Sequence, residues 1–252
     1  MIGAAYIEAI ERATVAAVAP EHVDSLPGWL LPMDRGTISR GKSAVPLRHE
    51  APDADPVNLL DAIEAAYRAR GFQPMFRLAD TPCFDAVREA LTTRAYRAGV
   101  PVLVQTADVG HMRTVSAGVP ADADPSPDAA WLALFLGPGF DAVDGASRSQ
   151  SLSRAPDSVF ASVRDGGRTL AVGAGAFSSG WASVHGMRTL QSHRGQGLAG
   201  RTLAGLAQAA TARGLSRVFL QVEAGNDAAI ALYRRAGFTT AWSYRYWSPV
   251  SV

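Results

Sequence analysis

Residues 194–200 read RGQGLAG, and an apolar helical pattern follows them. Beyond that helix the chain has room for only two strand candidates, VFLQVE and TTAWSYRYW, separated by DAAIALYRRAG. The run contains G-x-G-x-x-G at Gly195, Gly197 and Gly200, and VFLQVE ends in Glu223, close to what a dinucleotide-binding fingerprint requires. A Rossmann loop, however, begins where its first strand ends. Here the polar QSHR separates the strand-like WASVHGMRTL from Gly195. Two strands and one helix also cannot complete a six-stranded doubly wound sheet, and the strands of the N-terminal half precede the loop. A nucleotide-dependent oxidoreductase is therefore disfavoured; it requires stabilisation by NAD(P). Two readings remain. The loop is either a helix N-terminus that holds the pyrophosphate of another carrier, or a glycine-rich turn into a buried helix. In the first, consecutive N–H groups from Arg194 to Ala199 and the macrodipole of the helix starting near Leu198 attract the anion. Leu203, Leu206, Ala207 and Ala210 share one face of that helix, and Gly214 is its stop.

Of the 252 residues, 48% are hydrophobic and 19% charged, ordinary for a soluble globular chain of one or two domains. The net charge of +1 and the absence of long Lys/Arg runs give no sign of a nucleic-acid or membrane surface. Cys83 is the single cysteine, which excludes an intrachain disulfide and a thiolate metal cluster. It precedes a helix without a histidine nearby in sequence, and is expected to be inert. MIGAAYIEAIERATVAAVAP carries two glutamates and an arginine and reads as an amphipathic helix, so a cytoplasmic protein is expected. His22, His49, His111, His185 and His193 show no metal-ligand spacing, and no G-x-S-x-G nucleophile elbow occurs.

VPADADPSPDAA (119–130) reads as a linker or long loop between two structured regions. Before it come a helix near residues 4–17, a strand pair within WLLPMDRGTISRGKSAVPL, a helix NLLDAIEAAYRARG, a strand PMFRLA, a helix FDAVREALTTRAYR and a strand VPVLVQTA. After it come helical AWLALFLG, a hairpin SVFASVRDGGRTLAVGAGAF turning at its DGG, and the strand WASVHGMRTL. The two regions align. Gly71–Phe76 falls on Gly214–Phe219, Leu60 on Leu203, Ile63 on Leu206 and Arg70 on Arg213. After a one-residue gap Leu91 falls on Tyr233 and Tyr96 on Phe238. The pattern indicates two copies of one α/β unit. Where one copy has RGQGLA the other has APDADP (51–56), without glycine and with two prolines that lack N–H donors. Only the second copy can cradle a phosphate.

RGQGLA, its helix and VFLQVEAGNDAAIALYRRAGF together resemble the GCN5-related N-acetyltransferase (GNAT) family. The family's coenzyme loop, Q/R-x-x-G-x-G/A, is matched by Arg194, Gly197 and Ala199, and its later signature by Asn226, Ala229, Leu232-Tyr233 and Gly237-Phe238. These motifs cover roughly residues 181–240. The N-terminal half resembles the degenerate first half of tandem members. The resemblance implies an α/β (α+β layered) protein of two GNAT-like units, 1–118 and 119–252, each a mixed, mainly antiparallel sheet flanked by helices.

It also implies acetyl-CoA as cosubstrate, no metal, and direct acetyl transfer to an amine of a small molecule, peptide or protein. Arg194, Gly195, Gln196, Gly197, Leu198 and Ala199 would hold the pyrophosphate. The pantetheine arm would lie between Met187, Arg188, Thr189 and VFLQVE, with Asn226 and Ala229 beside it. Main-chain donors on Met187 and Thr189 would polarise the thioester carbonyl, each contributing about 2.7–4 kcal/mol. Tyr233 would be the general acid for the departing thiolate. Family members often carry a glutamate base on the strand before the loop, and WASVHGMRTL has none. His185 is the substitute, with Glu223 a weaker candidate. The missing glutamate keeps open a non-catalytic acyl-CoA sensor or scaffold. Trp242, Tyr244, Tyr246 and Trp247 alternate as on a strand, part core and part a wall for the acceptor.

Overall fold

The computed structural model describes residues 2–137 and 141–250. Helix α1 (Ala4–Val18) leads into the hairpin β1 (His22–Leu26) and β2 (Trp29–Met33), a 3-10 turn (Ser39–Gly41) and β3 (Val45–Pro46). Then come α2 (Pro56–Ala69), β4 (Phe76–Ala79), α3 (Asp85–Thr93), β5 (Tyr96–Ala98), β6 (Val102–Asp108) and α4 (Val109–Arg113). The second half runs β7 (Asp122–Asp124), α5 (Ala129–Phe135), α6 (Ala142–Arg154), β8 (Ser158–Asp165), β9 (Arg168–Ser178) and β10 (Trp181–Thr189). It closes with α7 (Leu198–Ala212), β11 (Arg217–Glu223), α8 (Asp227–Arg235) and β12 (Thr239–Pro249).

The expected elements are present, with one correction and several additions. The helix read in FDAVREALTTRAYR stops at Thr93, Ala95 turns left-handed at φ 59°, and Tyr96 and Arg97 belong to the strand β5. The β2–β3 pair gains β1 through a Pro27-Gly28 turn, Gly28 taking φ +77°. The supposed linker contains the edge strand β7, and the helices α4 and α6 are further additions. Helices α2, α7 and α8 end alike. Each is stopped by a left-handed glycine (Gly71, Gly214, Gly237), with the next N–H reaching five residues back, to Tyr67, Ala210 and Tyr233.

A nine-stranded sheet has the order β4-β12-β6-β11-β10-β9-β8-β7, with β5 also on β12; β1, β2 and β3 form a separate three-stranded sheet. All pairs are antiparallel except β10–β11. The last strand of each half inserts into the other. β6 lies between β11 and β12, whereas β12 runs from β6 onto β4 and β5. A parallel bridge from Ala44 to Phe76 joins the small sheet to β4, as β10 joins β11 at Ser183 and Phe219. Phe76 and Phe219 are partners in the sequence alignment of the halves.

Alternation along the strands sends two faces into different cores. Val218, Leu220 and Val222 of β11 pack under α7 and α8 with Leu203, Leu206 and Tyr233. Phe219 points to the opposite face, with Trp181 of β10 and Ile7, Ile10 and Ala13 of α1. Burying each such large apolar side chain contributes about 1.5–3 kcal/mol. Trp131 and Phe135 of α5 stack on one another over Phe160 and Val172. Helix α2 packs Leu60, Ile63 and Tyr67 against Leu31, Phe76 and Leu78. The mixed α/β architecture, with mainly antiparallel sheets flanked by helices, is the one expected. No helix among the described residues is long and apolar enough to cross a membrane.

Candidate active site

The loop before α7 is built for its backbone. Gly195 and Gly197 both take φ +78°, and a Cβ on either would meet no atom within 4 Å. Glycine is therefore required by the left-handed conformation, and the space over the loop is open. Gly197 caps α7 without a side chain, and the first helical bond runs from Arg201 N–H to the Gly197 carbonyl at 3.2 Å. The amides of residues 195–200 donate to no described residue. Such a run of unsatisfied N–H groups at the positive end of a helix is an anion site.

Beside the loop two strands part. The parallel pairing of β10 and β11 stops at Val184 and Leu220, although β10 continues to Thr189 and β11 to Glu223. A bulge accompanies the split. The β10–β9 register shifts between His185 and Arg188, and the ladder resumes at Arg188–Val172 and Thr189–Ala171. Gly186 makes the bulge possible at φ +58°, where a Cβ would lie 2.9 Å from Phe135 Cε2. The Met187 side chain packs towards α7, so close to Gly173 that a Cβ there would lie 2.6 Å from its Sδ. Arg188 donates to the Leu134 carbonyl at 3.1 Å and to that of Phe135, satisfying the C-terminal end of α5. Burial, then the nearby Arg194, lowers the Arg188 pKa to about 10. A cavity of about 910 Å³ lies between α5, the start of β9 and the end of β10 beside the loop, lined by Leu134, Thr169, Arg188, Thr189, Gln191 and Arg194.

On the α7 side stands Tyr233. Its ring lies 5.8 Å from that of Phe238, and the residue is 8% exposed. Its hydroxyl has no hydrogen-bond partner among the described residues, and burial raises its pKa to about 12. The phenol is thus neutral and holds a proton. Asn226 acts locally, since its Oδ1 accepts from Ala229 N–H at 3.2 Å and caps α8. Glu223 is exposed at the end of β11, pairs with Val102 and accepts the Asn226 N–H through its carbonyl.

The α1 side of the split is polar. Ser183 Oγ donates to the Ala176 carbonyl at 3.1 Å, so it accepts from His185 Nε2–H at 2.8 Å, leaving Nδ1 as acceptor. Burial, then the Arg40 guanidinium, lowers the His185 pKa to about 3. A neutral imidazole that resists protonation to that degree is a weak acceptor for an ammonium proton. Tyr244 Oη donates to Gln221 Oε1 at 2.9 Å, Gln221 Nε2 donates to Thr14 Oγ1 at 3.0 Å, and Tyr246 Oη lies 3.0 Å from Tyr244 Oη. Beneath them Arg77 and Glu11, both buried, approach to 2.6 Å as an ionic contact without hydrogen-bond alignment. Burial raises the Glu11 pKa and Arg77 opposes the rise. The sequence pointed to His185, Tyr244 and Tyr246. Gln221, Glu11, Arg77 and Arg40 come from separated elements with no shared motif. Among the described residues no His/Cys/Asp/Glu group of three could hold a metal ion.

A split parallel strand pair beside an uncapped glycine-loop helix, within a mixed sheet, is the architecture of GNAT acetyltransferases. The profile of the family described as "Probable histone acetyltransferase Rv0428c C-terminal" matches residues 4–247, and the chain belongs to that family. A GCN5-related N-acetyltransferase from Kribbella flavida is 20% identical, with a TM-score of 0.71 over 98% of this chain and 96% of that one. A GCN5-related N-acetyltransferase from Sphaerobacter thermophilus is 16% identical (TM-score 0.57, 99% and 96% covered). A tandem GNAT protein from the clavulanic acid biosynthesis pathway is 14% identical (TM-score 0.60, 97% and 96% covered). At these identities they share the fold. No curated protein sequence matches the chain.

Proposed function

We propose that the chain transfers the acetyl group of acetyl-CoA directly to an amine, at a site formed by the loop before α7 and the split between β10 and β11. The carrying observation is the run of amides from residue 195 to 200 without acceptors, which fits a pyrophosphate. Arg194, Gly195, Gln196, Gly197, Leu198 and Ala199 then hold the diphosphate. The stretches Met187–Thr189 and 221–223, no longer paired with each other, leave facing edges for the pantetheine amides, with the Asn226 Nδ2 and Ala229 close in sequence to the second edge. When bound, acetyl-CoA supplies the acetyl group as a thioester, whose C–S bond breaks as the C–N bond to the amine forms.

Tyr233 donates its phenolic proton to the departing sulfur, and the phenolate is refilled through water by the proton that the acceptor ammonium releases. Holding both reactants in one cleft supplies much of the rate. His185 acts in this reading as a neutral hydrogen-bonding group on the acceptor side, and water carries the amine's proton. The two-unit organisation, 1–118 and 119–252, belongs to the same proposal. It is supported by the common helix ends, the paired bridges at Phe76 and Phe219, and the exchange of β6 and β12. A non-catalytic acyl-CoA sensor is the second reading, favoured by the depressed His185 pKa.

Turnover of acetyl-CoA with a panel of amines, read as free thiol, tests the proposal. Thiol release with an acetylated amine product is expected. Tight acetyl-CoA binding without turnover across the panel would select the sensor.

A further inference from the structure

The β10 bulge lies opposite a single residue. In the β9–β10 ladder Val172 pairs with Arg188 and Ala174 with His185, so Gly173 alone faces Gly186 and Met187. The two extra residues leave the sheet on opposite sides. Gly186 faces Phe135 of α5, and Met187 packs with the core under α7.

Gly173 is buried in β9 without a left-handed φ, so its backbone conformation does not call for glycine. A glycine inside a strand weakens it and marks the close approach of another group. Here two groups approach. A Cβ at 173 would lie 2.6 Å from Met187 Sδ and 2.8 Å from Thr202 Cγ2 of α7. Thr202 is fully buried, and its Oγ1 donates to the Leu198 carbonyl at 3.1 Å. Leu198 opens α7 directly after the glycine loop. The space left by the missing side chain is therefore shared by the strand edge of the split and the first turn of α7. The two yield differently to pressure. A methionine thioether swings aside easily, whereas a β-branched threonine in a helix is stiff at χ1. A methyl group at 173 would unseat Met187 and press on α7 without removing a sheet hydrogen bond.

We propose that Gly173 is a positioning residue for the coenzyme site. Its missing side chain seats Met187, which fixes the bulge that parts β10 from β11. The same seat sets the spacing between the Met187–Thr189 edge and the loop before α7. Resting on the acetyl-transfer reading for its ligand, this assignment names the residue that holds the two coenzyme-binding parts together. Gly175 supplies the contrast. It stands two residues on, on the same face of β9, and pairs with Val184, where β10 and β11 are still joined. A Cβ there would meet Leu206 Cδ2 at 3.1 Å, Val159 Cγ2 at 3.5 Å and Phe177 Cζ at 3.6 Å. Gly175 is thus crowded by the core alone.

The test uses the full chain and its Gly173→Ala, Gly175→Ala, Met187→Ala and Gly173→Ala/Met187→Ala variants. Calorimetry reads acetyl-CoA affinity, thiol release with the amine panel reads turnover, and urea unfolding reads stability. Amide hydrogen exchange without ligand reads the bulge itself. Gly173→Ala is expected to weaken acetyl-CoA about 10- to 100-fold. It should also speed exchange across Arg188–Leu190, which ladders onto Val172, Ala171 and Leu170. Gly175→Ala should alter stability alone. Met187→Ala empties the seat without crowding it and should also weaken the coenzyme, and the double variant should lose less than the two singles summed. Unchanged affinity in Gly173→Ala, an equal loss in Gly175→Ala, or additive losses would each overturn the assignment. Should Gly173→Ala not fold, unchanged affinity in Met187→Ala overturns it. Binding that depends on Gly173 without turnover of any amine would sustain this assignment and count against acetyl transfer. Wild-type turnover that Gly173→Ala leaves untouched would do the reverse, and a wild type that binds no acetyl-CoA would overturn both.

Discussion

Two helix N-termini occupy matching places in the two halves, and their first turns are satisfied in opposite ways. In α2 the Asp55 carboxylate accepts from Val57 and Asn58 N–H at 3.0 and 3.2 Å, Leu59 N–H bonds the Asp55 carbonyl, and Pro56 has no N–H. That helix carries its own anion. In α7 the corresponding amides have no acceptor, and two left-handed glycines open the approach. Both halves also carry a cavity next to their loop. The one in the first half, about 620 Å³, is lined by Trp29, Leu47, Leu59 and Phe84 together with residues 51–54. A helix N-terminus is thus left open to an anion when the chain withholds a cap, and becomes a structural joint when it supplies one.

Making the second half resemble the first should remove the proposed functions one at a time. The residue aligned with Tyr233 is Leu91, which has no proton to give. Tyr233→Phe should lower kcat by about 10²- to 10⁴-fold, the span of general acid catalysis, with the dissociation constant for acetyl-CoA unchanged. Steady-state kinetics with calorimetry checks both parts; an unaltered kcat removes Tyr233 from the chemistry.

Gly197→Asp places a carboxylate at the N-cap of α7, the position Asp55 holds in α2. Losing two or more charge-assisted bonds to the diphosphate should weaken acetyl-CoA by about 100-fold or more. The reciprocal change, Asp55→Ala, should cost about 1 kcal/mol of stability by urea unfolding and create no second coenzyme site, since Pro56 still lacks its N–H.

Each half also holds a neutral histidine, His185 buried and His49 half-buried. Burial, then Arg77, lowers the His49 pKa to about 4, and His185 lies near 3. Both values fall below that of the unfolded chain, so the unfolded state binds more protons as the pH drops from about 6.5 towards 4. Stability present above pH 6.5 should be lost over that window. His185→Gln should flatten the slope by about 1.4 kcal/mol per pH unit. Urea titrations at pH 7, 6 and 5 read the difference, and parallel slopes would place His185 in solvent rather than core.

What the sequence revealed was local. Glycines at 195, 197, 214 and 237, the DGG turn, the β11 alternation and the α7 stripe each act through neighbours along the chain, and their elements stand where expected. What it hid was non-local or polar. AVDGASRSQSLSR buries little beyond Leu152 and Ser151, so α6 lacks an apolar stripe and is held by contacts such as Arg154 to Asp34. The DAD of β7 reads as loop because an exposed edge strand needs no hydrophobic alternation. The exchange of β6 and β12 has no motif, since either strand suits either neighbour. At the candidate site the glycine loop was legible in the residues themselves and the strand split through the resemblance, whereas Gln221 meets Tyr244 and Thr14 only when the sheet brings distant elements together.

The central claim is that one helix N-terminus, α7, holds the coenzyme and α2 does not. Calorimetric titration of acetyl-CoA into the full chain, the Gly197→Asp variant and the Asp55→Ala variant tests it most directly. One site per chain is expected in the wild type, persisting in Asp55→Ala and lost in Gly197→Asp. Two sites per chain, or a site that survives in Gly197→Asp with unchanged affinity, would contradict it.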